Sequence, residues 1–206
     1  MAKMSWNAVL LSAAGATFSG AAAQDVNCNN YRLQEFSTLR VAVVTVDRAL
    51  FRDAQGTARG PYVVRGDRIV QGRTVNGRRC SYFFSASREV SGFLNDAQAT
   101  AVPAAPPARG AWVRDEDAGL DISNGLKVTG EAVWHTPGDS VNLGSLDGTL
   151  IRRGAAWVYA SGLRGDTCRL TVLNLGAALL VDDNLACGGW NVTFQGLYLR
   201  RLSKRP

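Results

Sequence analysis

The chain has 206 residues, an apolar content of 46% and a formal charge of +6. That length holds one large or two small domains, and the apolar content is enough for a packed core. Arginine far outnumbers lysine, yet no run of five like charges occurs, so a nucleic-acid-binding arm is not indicated. The surplus charge fits solubility, or attraction to an anionic envelope polymer, phospholipid headgroup or acidic protein.

Residues 1–23 read as a signal peptide. Lys3 supplies the positive start, Ala8–Ala16 a short apolar run, and Ala21-Ala22-Ala23 the small residues before a cleavage point, with Gln24 as the first mature residue. The run is shorter than the ~20 residues a spanning helix needs. No cysteine stands at the cleavage point to carry a lipid, and no second long apolar stretch follows. The expectation is an exported protein without a membrane span, periplasmic or secreted. Export favours oxidised thiols. The cysteines are Cys28, Cys80, Cys168 and Cys187. None has metal-ligand spacing, and the lone histidine, His135, has no neighbouring ligand in sequence, so neither zinc nor any other cofactor is expected.

A Pro/Ala-rich stretch, residues 98–110, carries Pro103, Pro106 and Pro107 and reads as a semi-extended linker. It divides the chain into 28–97 and 111–206. It also separates the cysteines two and two, which favours Cys28–Cys80 and Cys168–Cys187 among the three possible pairings.

In the first part, Leu39–Val46 is rich in β-branched residues and reads as a strand. Asp47–Gly60 is polar, holds two glycines and reads as a long loop. Pro61–Val70 is a strand, a Gly66-Asp67 turn and a second strand start. Asn76-Gly77 is a strong hairpin signal leading into a strand through Phe84. Ser91–Leu94 closes the series, and the whole suggests a small β-barrel.

Tyr62-Val-Val-Arg-Gly-Asp-Arg-Ile69, Asn76-Gly-Arg-Arg-Cys-Ser-Tyr-Phe83 and Ser91-Gly-Phe-Leu94 together resemble the bacterial Src-homology-3-like (SH3-like) domain over residues 40–95. The chain departs from that family with Phe93 where tryptophan is usual and with an Arg/Asp-rich stretch at Arg48–Arg59. The resemblance implies a small barrel binding cell-wall or peptide ligands, with some aromatics lining a groove. Of Tyr31, Tyr62, Tyr82, Phe83, Phe84 and Phe93, it makes Tyr62, Tyr82, Phe84 and Phe93 the candidate ligand-binding residues. Alternation along strands assigns about half of such aromatics to the core.

The second part starts at Ala111-Trp112. Leu120–Ser123 alternates, Asn124-Gly125 turns, and Leu126–His135 places Leu126, Val128, Gly130 and Ala132 on one face against Lys127, Thr129 and Glu131. Pro137-Gly138 reads as a turn, Val141–Leu146 as a strand and Asp147-Gly148 as another turn. Ala155–Ala160, Cys168–Leu175 and Ala177–Val181 follow as strands, with Asp182–Asn184 turning into a final run, Cys187–Arg200. There Trp190, Val192, Phe194, Gly196 and Tyr198 fall on one face. The pattern argues for an antiparallel barrel or sandwich. Leu126-x-Val-x-Gly-x-Ala-x-Trp134, Cys168 and Asp183-Asn-x-x-Cys-Gly-Gly-x-Asn-Val-x-Phe-x-Gly-x-Tyr198 resemble a domain at the ends of uncharacterised exported bacterial proteins, which implies a fold and no activity. The fold expected for the whole chain is all-β, two small antiparallel barrels or sandwiches, the first SH3-like.

Candidate chemistry is sparse. Asp182-Asp183-Asn184 with Asp166 lacks calcium-loop spacing and reads as a polar turn. Gly188-Gly189 reads as a turn or bulge rather than an anion cradle. Asn191-Val192-Thr193 fits a glycosylation acceptor only formally. Asp115-Glu116-Asp117 and His135 lack a second positioned partner or a nucleophile motif, so no catalytic residue is assigned. The sequence reading is a non-catalytic envelope-binding protein whose partner is a cell-wall peptide or an envelope protein. The alternative is an inhibitor of an envelope-targeting hydrolase such as lysozyme or a protease, by fold-level analogy.

Overall fold

A computed structural model describes residues 28, 31, 36–85, 88–138, 140–161 and 167–201. The signal-peptide segment 1–23 and Asp166 lie outside the described residues. The protein is all-β, with two antiparallel sheets and, among the described residues, no α-helix.

The first sheet has seven strands: β1 (Arg40–Val44), β2 (Arg48–Arg52), β3 (Ala58–Val64), β4 (Arg68–Val75), β5 (Arg78–Ser85), β6 (Arg88–Asn95) and β7 (Ala99–Ala101). Their order is β3-β2-β6-β5-β4-β1-β7. Asn76 and Gly77 both take positive φ, 50° and 72°, as a two-residue hairpin turn between β4 and β5 requires. The span Asp47–Gly60, expected as a loop, is instead mostly a hairpin. Ala49 and Phe51 point into the core while Arg48 and Arg52 face outward, and the turn is closed by the Asp53 carboxylate accepting from the Thr57 N–H at 2.8 Å. One core of this sheet joins Ala42, Val44, Phe51, Val63, Ile69 and Leu94.

The second sheet has nine strands: β8 (Gly110–Val113), β9 (Ala118–Ile122), β10 (Lys127–His135), β11 (Val141–Thr149), β12 (Ile151–Arg153), β13 (Ala156–Ala160), β14 (Arg169–Asn174), β15 (Ala178–Asp183) and β16 (Gly196–Arg200). In the order β11-β10-β9-β8-β16-β15-β14-β13-β12, the two edge strands are adjacent in sequence, separated by Leu150 alone. The sheet therefore curls back toward itself as a half-barrel. Trp112, Ile122, Leu170, Leu179, Phe194 and Tyr198 fill its interior. Asp147-Gly148 does not turn. The strand runs straight through it because the Tyr159 ring lies over Gly148, where a Cβ would sit 2.5 Å from Tyr159 Cε2. The chain bends at Leu150 instead.

The closing run is also not a single strand. Only Gly196–Arg200 pairs, with β15 and β8. Before it the chain makes a tight crossing over β11, where Gly188 bridges Gly144 and a Cβ on Gly188 would lie 2.6 Å from Gly144 Cα. A turn follows, with the Val192 N–H donating to the Gly189 carbonyl and Asn191 at φ 64°. That turn breaks the expected alternation: Val192, Phe194 and Tyr198 are buried, but Trp190 is 82% exposed.

The Pro/Ala-rich stretch is tied down along its length. Ala99–Ala101 pairs with β1, and the Val102 N–H donates to the Val41 carbonyl. Past that point the prolines have no N–H to offer, but neighbouring carbonyls accept. The indole of Trp157 donates to Ala105 at 2.8 Å, that of Trp112 to Ala108 at 3.0 Å, and the Asn174 amide to Pro106 at 2.8 Å.

The two sheets share a core. Cys28, Tyr31, Leu39, Val41, Val70, Cys80, Tyr82 and Phe93 of the first part pack with Leu173, Leu175, Ala178 and Leu180 of the second. Leu173 and Leu180 leave the half-barrel on its outer side and are nonetheless fully buried. The disulfides are Cys28–Cys80 and Cys168–Cys187, one in each part.

Candidate binding site

The four aromatics singled out from the sequence do not converge. Tyr82 and Phe93 are core residues, 0% and 3% exposed, on the face of β5 and β6 that meets the second sheet. Phe84 packs against the same cluster, and Tyr31 closes over Tyr82 and Phe84 with edge-on ring contacts at 6.1 and 5.3 Å. The face of Tyr82, Phe84 and Phe93 is filled by the chain's own Leu173 and Leu180 and by Cys28 and Tyr31. Burial pushes the Tyr82 hydroxyl up to about 12, and among the described residues that hydroxyl has no hydrogen-bond partner.

Tyr62 is different. It lies on β3, an edge strand of the first sheet, and is 51% exposed. The Arg48 guanidinium stands 4.1 Å from its ring centroid, so a cation caps one face of the phenol ring. Beside it run Val64, also exposed, and the partly buried Phe83 and Val90, which together with Pro61, Asp67 and Arg88 line a shallow cleft. At the cleft, Asp67 accepts from the Val64 N–H at 2.8 Å; at the far end of the β2–β3 hairpin, Arg52 donates to the Gly56 carbonyl at 2.7 Å and Arg78 to the Ala54 carbonyl at 3.0 Å. An apolar floor with Arg48, Arg88 and the Asp67 carboxylate at its rim can take an extended, amphipathic segment. In sequence, Tyr62 could not be told from the others, because only the register fixes which aromatic of a strand faces out.

The other constellations serve structure. The Asp183 carboxylate accepts from the Thr193 hydroxyl at 3.1 Å and from the Phe194 N–H at 2.6 Å. Asn184 accepts from the Arg169 N–H and donates to the Thr167 carbonyl. Gln195 donates to Asp182 at 2.7 Å. These contacts pin the segment between β15 and β16, and among the described residues no cluster of His, Cys, Asp and Glu has the arrangement of a metal site. Asp115 is bridged to Arg114 at 2.7 Å. His135 Nε2 lies 3.2 Å from Asp117 Oδ1 on an exposed surface, its one hydrogen-bond contact among the described residues. No helix among the described residues is long and apolar enough to cross a membrane. No protein-family model matches the chain, and neither a curated protein nor a solved structure is similar to it.

Proposed function

We propose that the mature chain is an exported, non-catalytic binding protein of the bacterial envelope, and that it takes an extended peptide, from the cell wall or from an envelope protein, along the Tyr62 cleft. The observation that carries this reading is the half-exposed Tyr62 ring under the Arg48 guanidinium, on an edge strand beside Val64. An edge strand offers unpaired backbone groups to an incoming chain, and an exposed aromatic supplies the anchor. Two disulfides support an oxidising compartment. The SH3-like reading of the first sheet draws support from its hairpins, the one-turn helix Asp96–Gln98 and a short last strand that returns to β1.

Co-sedimentation with purified peptidoglycan, and titration with a soluble stem peptide, test the proposal. The expected result is saturable binding that Tyr62→Ala weakens by about tenfold or more, the loss typical of an interface anchor. No binding at low salt, or equal binding by Tyr62→Ala, would sink the proposal.

A further inference from the structure

The rim of the Tyr62 cleft carries two exposed arginines, Arg48 and Arg88, and among the described residues neither is in an ion pair. The nearby acids are engaged or turned away. Asp47, next to Arg48 in sequence, is bridged to Arg65 at 3.0 Å. Asp67, the carboxylate at the rim, already accepts from the Val64 N–H at 2.8 Å. Across the β5–β6 hairpin Glu89 stands opposite Phe84, while Val90 stands opposite Phe83 and Arg88 opposite Ser85. Alternation therefore puts Arg88 on the cleft side with Phe83 and Val90, and Glu89 on the other side with Phe84. The chain between Ser85 and Arg88, Ala86-Ser87, brings no charge.

Arg48 is also placed before a ligand arrives. Its guanidinium stands 4.1 Å from the Tyr62 ring centroid, where the face of the ring attracts a cation. None of its guanidinium N–H groups donates to a described residue. A guanidinium held against a ring keeps its fork of donors for a carboxylate, which it can bind through two parallel hydrogen bonds. Holding it there in advance lowers the ordering cost of that pair.

We infer that the cleft selects a cell-wall stem peptide whose carboxylates are free over the same peptide amidated. A ligand carboxylate pairs with Arg48, Arg88 adds attraction from the β6 side, and the ligand's methyl groups lie on Tyr62, Val64, Phe83 and Val90. Stem peptides carry carboxylates beside alanine methyls, which matches cations set over an apolar floor. This inference rests on the reading of the Tyr62 cleft as a peptide site and adds the charge of the peptide that the site prefers.

The test is titration of the mature chain at low salt with a soluble stem peptide as the free acid and with its carboxylates amidated. The free acid should bind at least about threefold tighter, and the gap should narrow as salt rises. Arg48→Gln and Arg88→Gln, both at exposed positions and so with Tm unchanged, should each bring the free acid toward the amide. Arg73→Gln, which removes the same charge at an exposed site outside the cleft, should leave the gap intact. Tyr62→Ala should weaken both forms alike. Equal binding of the two forms, a gap that survives Arg48→Gln, or a gap that Arg73→Gln closes as fully would overturn the inference and leave the peptide site standing. Failure of both forms to bind would overturn the peptide site itself, and the inference with it.

Discussion

The half-barrel has two outer faces of opposite character. That of β14–β16 is apolar and lies against the first sheet, where Leu173 and Leu180 are fully buried. That of β9–β11 carries Asp121, Glu131 and Asp147 and is open, with Leu143 in water. The difference teaches where binding can occur. The first sheet turns its aromatic face, with Tyr82, Phe84 and Phe93, into an intramolecular contact, while Tyr62 at the β3 edge stays exposed.

Breaking the covered face should have the largest effect. Leu180→Asp places an unpaired charge in the shared core and should cost upward of about 4 kcal/mol, enough to leave much of the chain unfolded. Leu180→Ala should cost about 2–5 kcal/mol by chemical denaturation. Both parts should unfold together, as read by tyrosine and tryptophan probes, because neither can lose the core alone. If instead only one part melts, the sheets are independent. Next comes the Cys168→Ser/Cys187→Ser pair, whose loop of 19 residues predicts a loss of about 3 kcal/mol. Trp190→Ser, at an exposed turn, should move stability by less than about 0.5 kcal/mol. In the covered face, Tyr82→Phe removes a buried hydroxyl with no partner among the described residues and should raise stability by about 1 kcal/mol.

Two carboxylates sharpen the contrast through pH. The Asp96 carboxyl is held below the usual range, chiefly by the hydrogen bond from Arg79 at 2.6 Å. A depressed folded pKa stabilises the fold above the unfolded value of about 4, and that contribution is lost as pH falls through the folded pKa. Asp182 has the opposite sign. Burial raises its pKa, the Gln195 amide partly offsets this, and the neighbouring Asp183 charge adds to it. Its charge therefore opposes folding at neutral pH, a penalty relieved as pH falls below the folded value. Thermal melts across acidic pH should show Asp96→Asn flattening the acid-side loss, and Asp182→Asn giving a small rise in Tm at neutral pH that disappears in acid.

Much of the fold is legible in the residues. Asn76-Gly77, Gly66-Asp67 and the alternation of Lys127–His135 dictate turns and a strand that stand where expected. What was not legible depends on distant partners. Arg-Ala-Leu-Phe-Arg at β2 mixes apolar residues on both sides, so it lacks the alternation that marks a strand until Ala49 and Phe51 find the core. Asp147-Gly148 is a turn signal overridden by the ring of Tyr159. Ala177-Ala-Leu-Leu-Val181 did carry a clue. An apolar run without alternation means a strand covered on both faces, and that covering is the first sheet. The aromatic candidates could not be sorted without register: Val70 opposite Tyr82 and Cys80 opposite Phe93 place three of the four against the shared core and leave Tyr62 outside.

The most direct test of the central claim is an NMR titration of the isotopically labelled mature chain with a soluble cell-wall stem peptide. The account predicts amide shifts gathered at Gly60–Val64, Phe83 and Arg88–Val90, saturating together and absent in Tyr62→Ala. Shifts centred instead on Tyr82, Phe93 and Leu180 would contradict it, since they would mean that the covered aromatic face opens to receive the ligand.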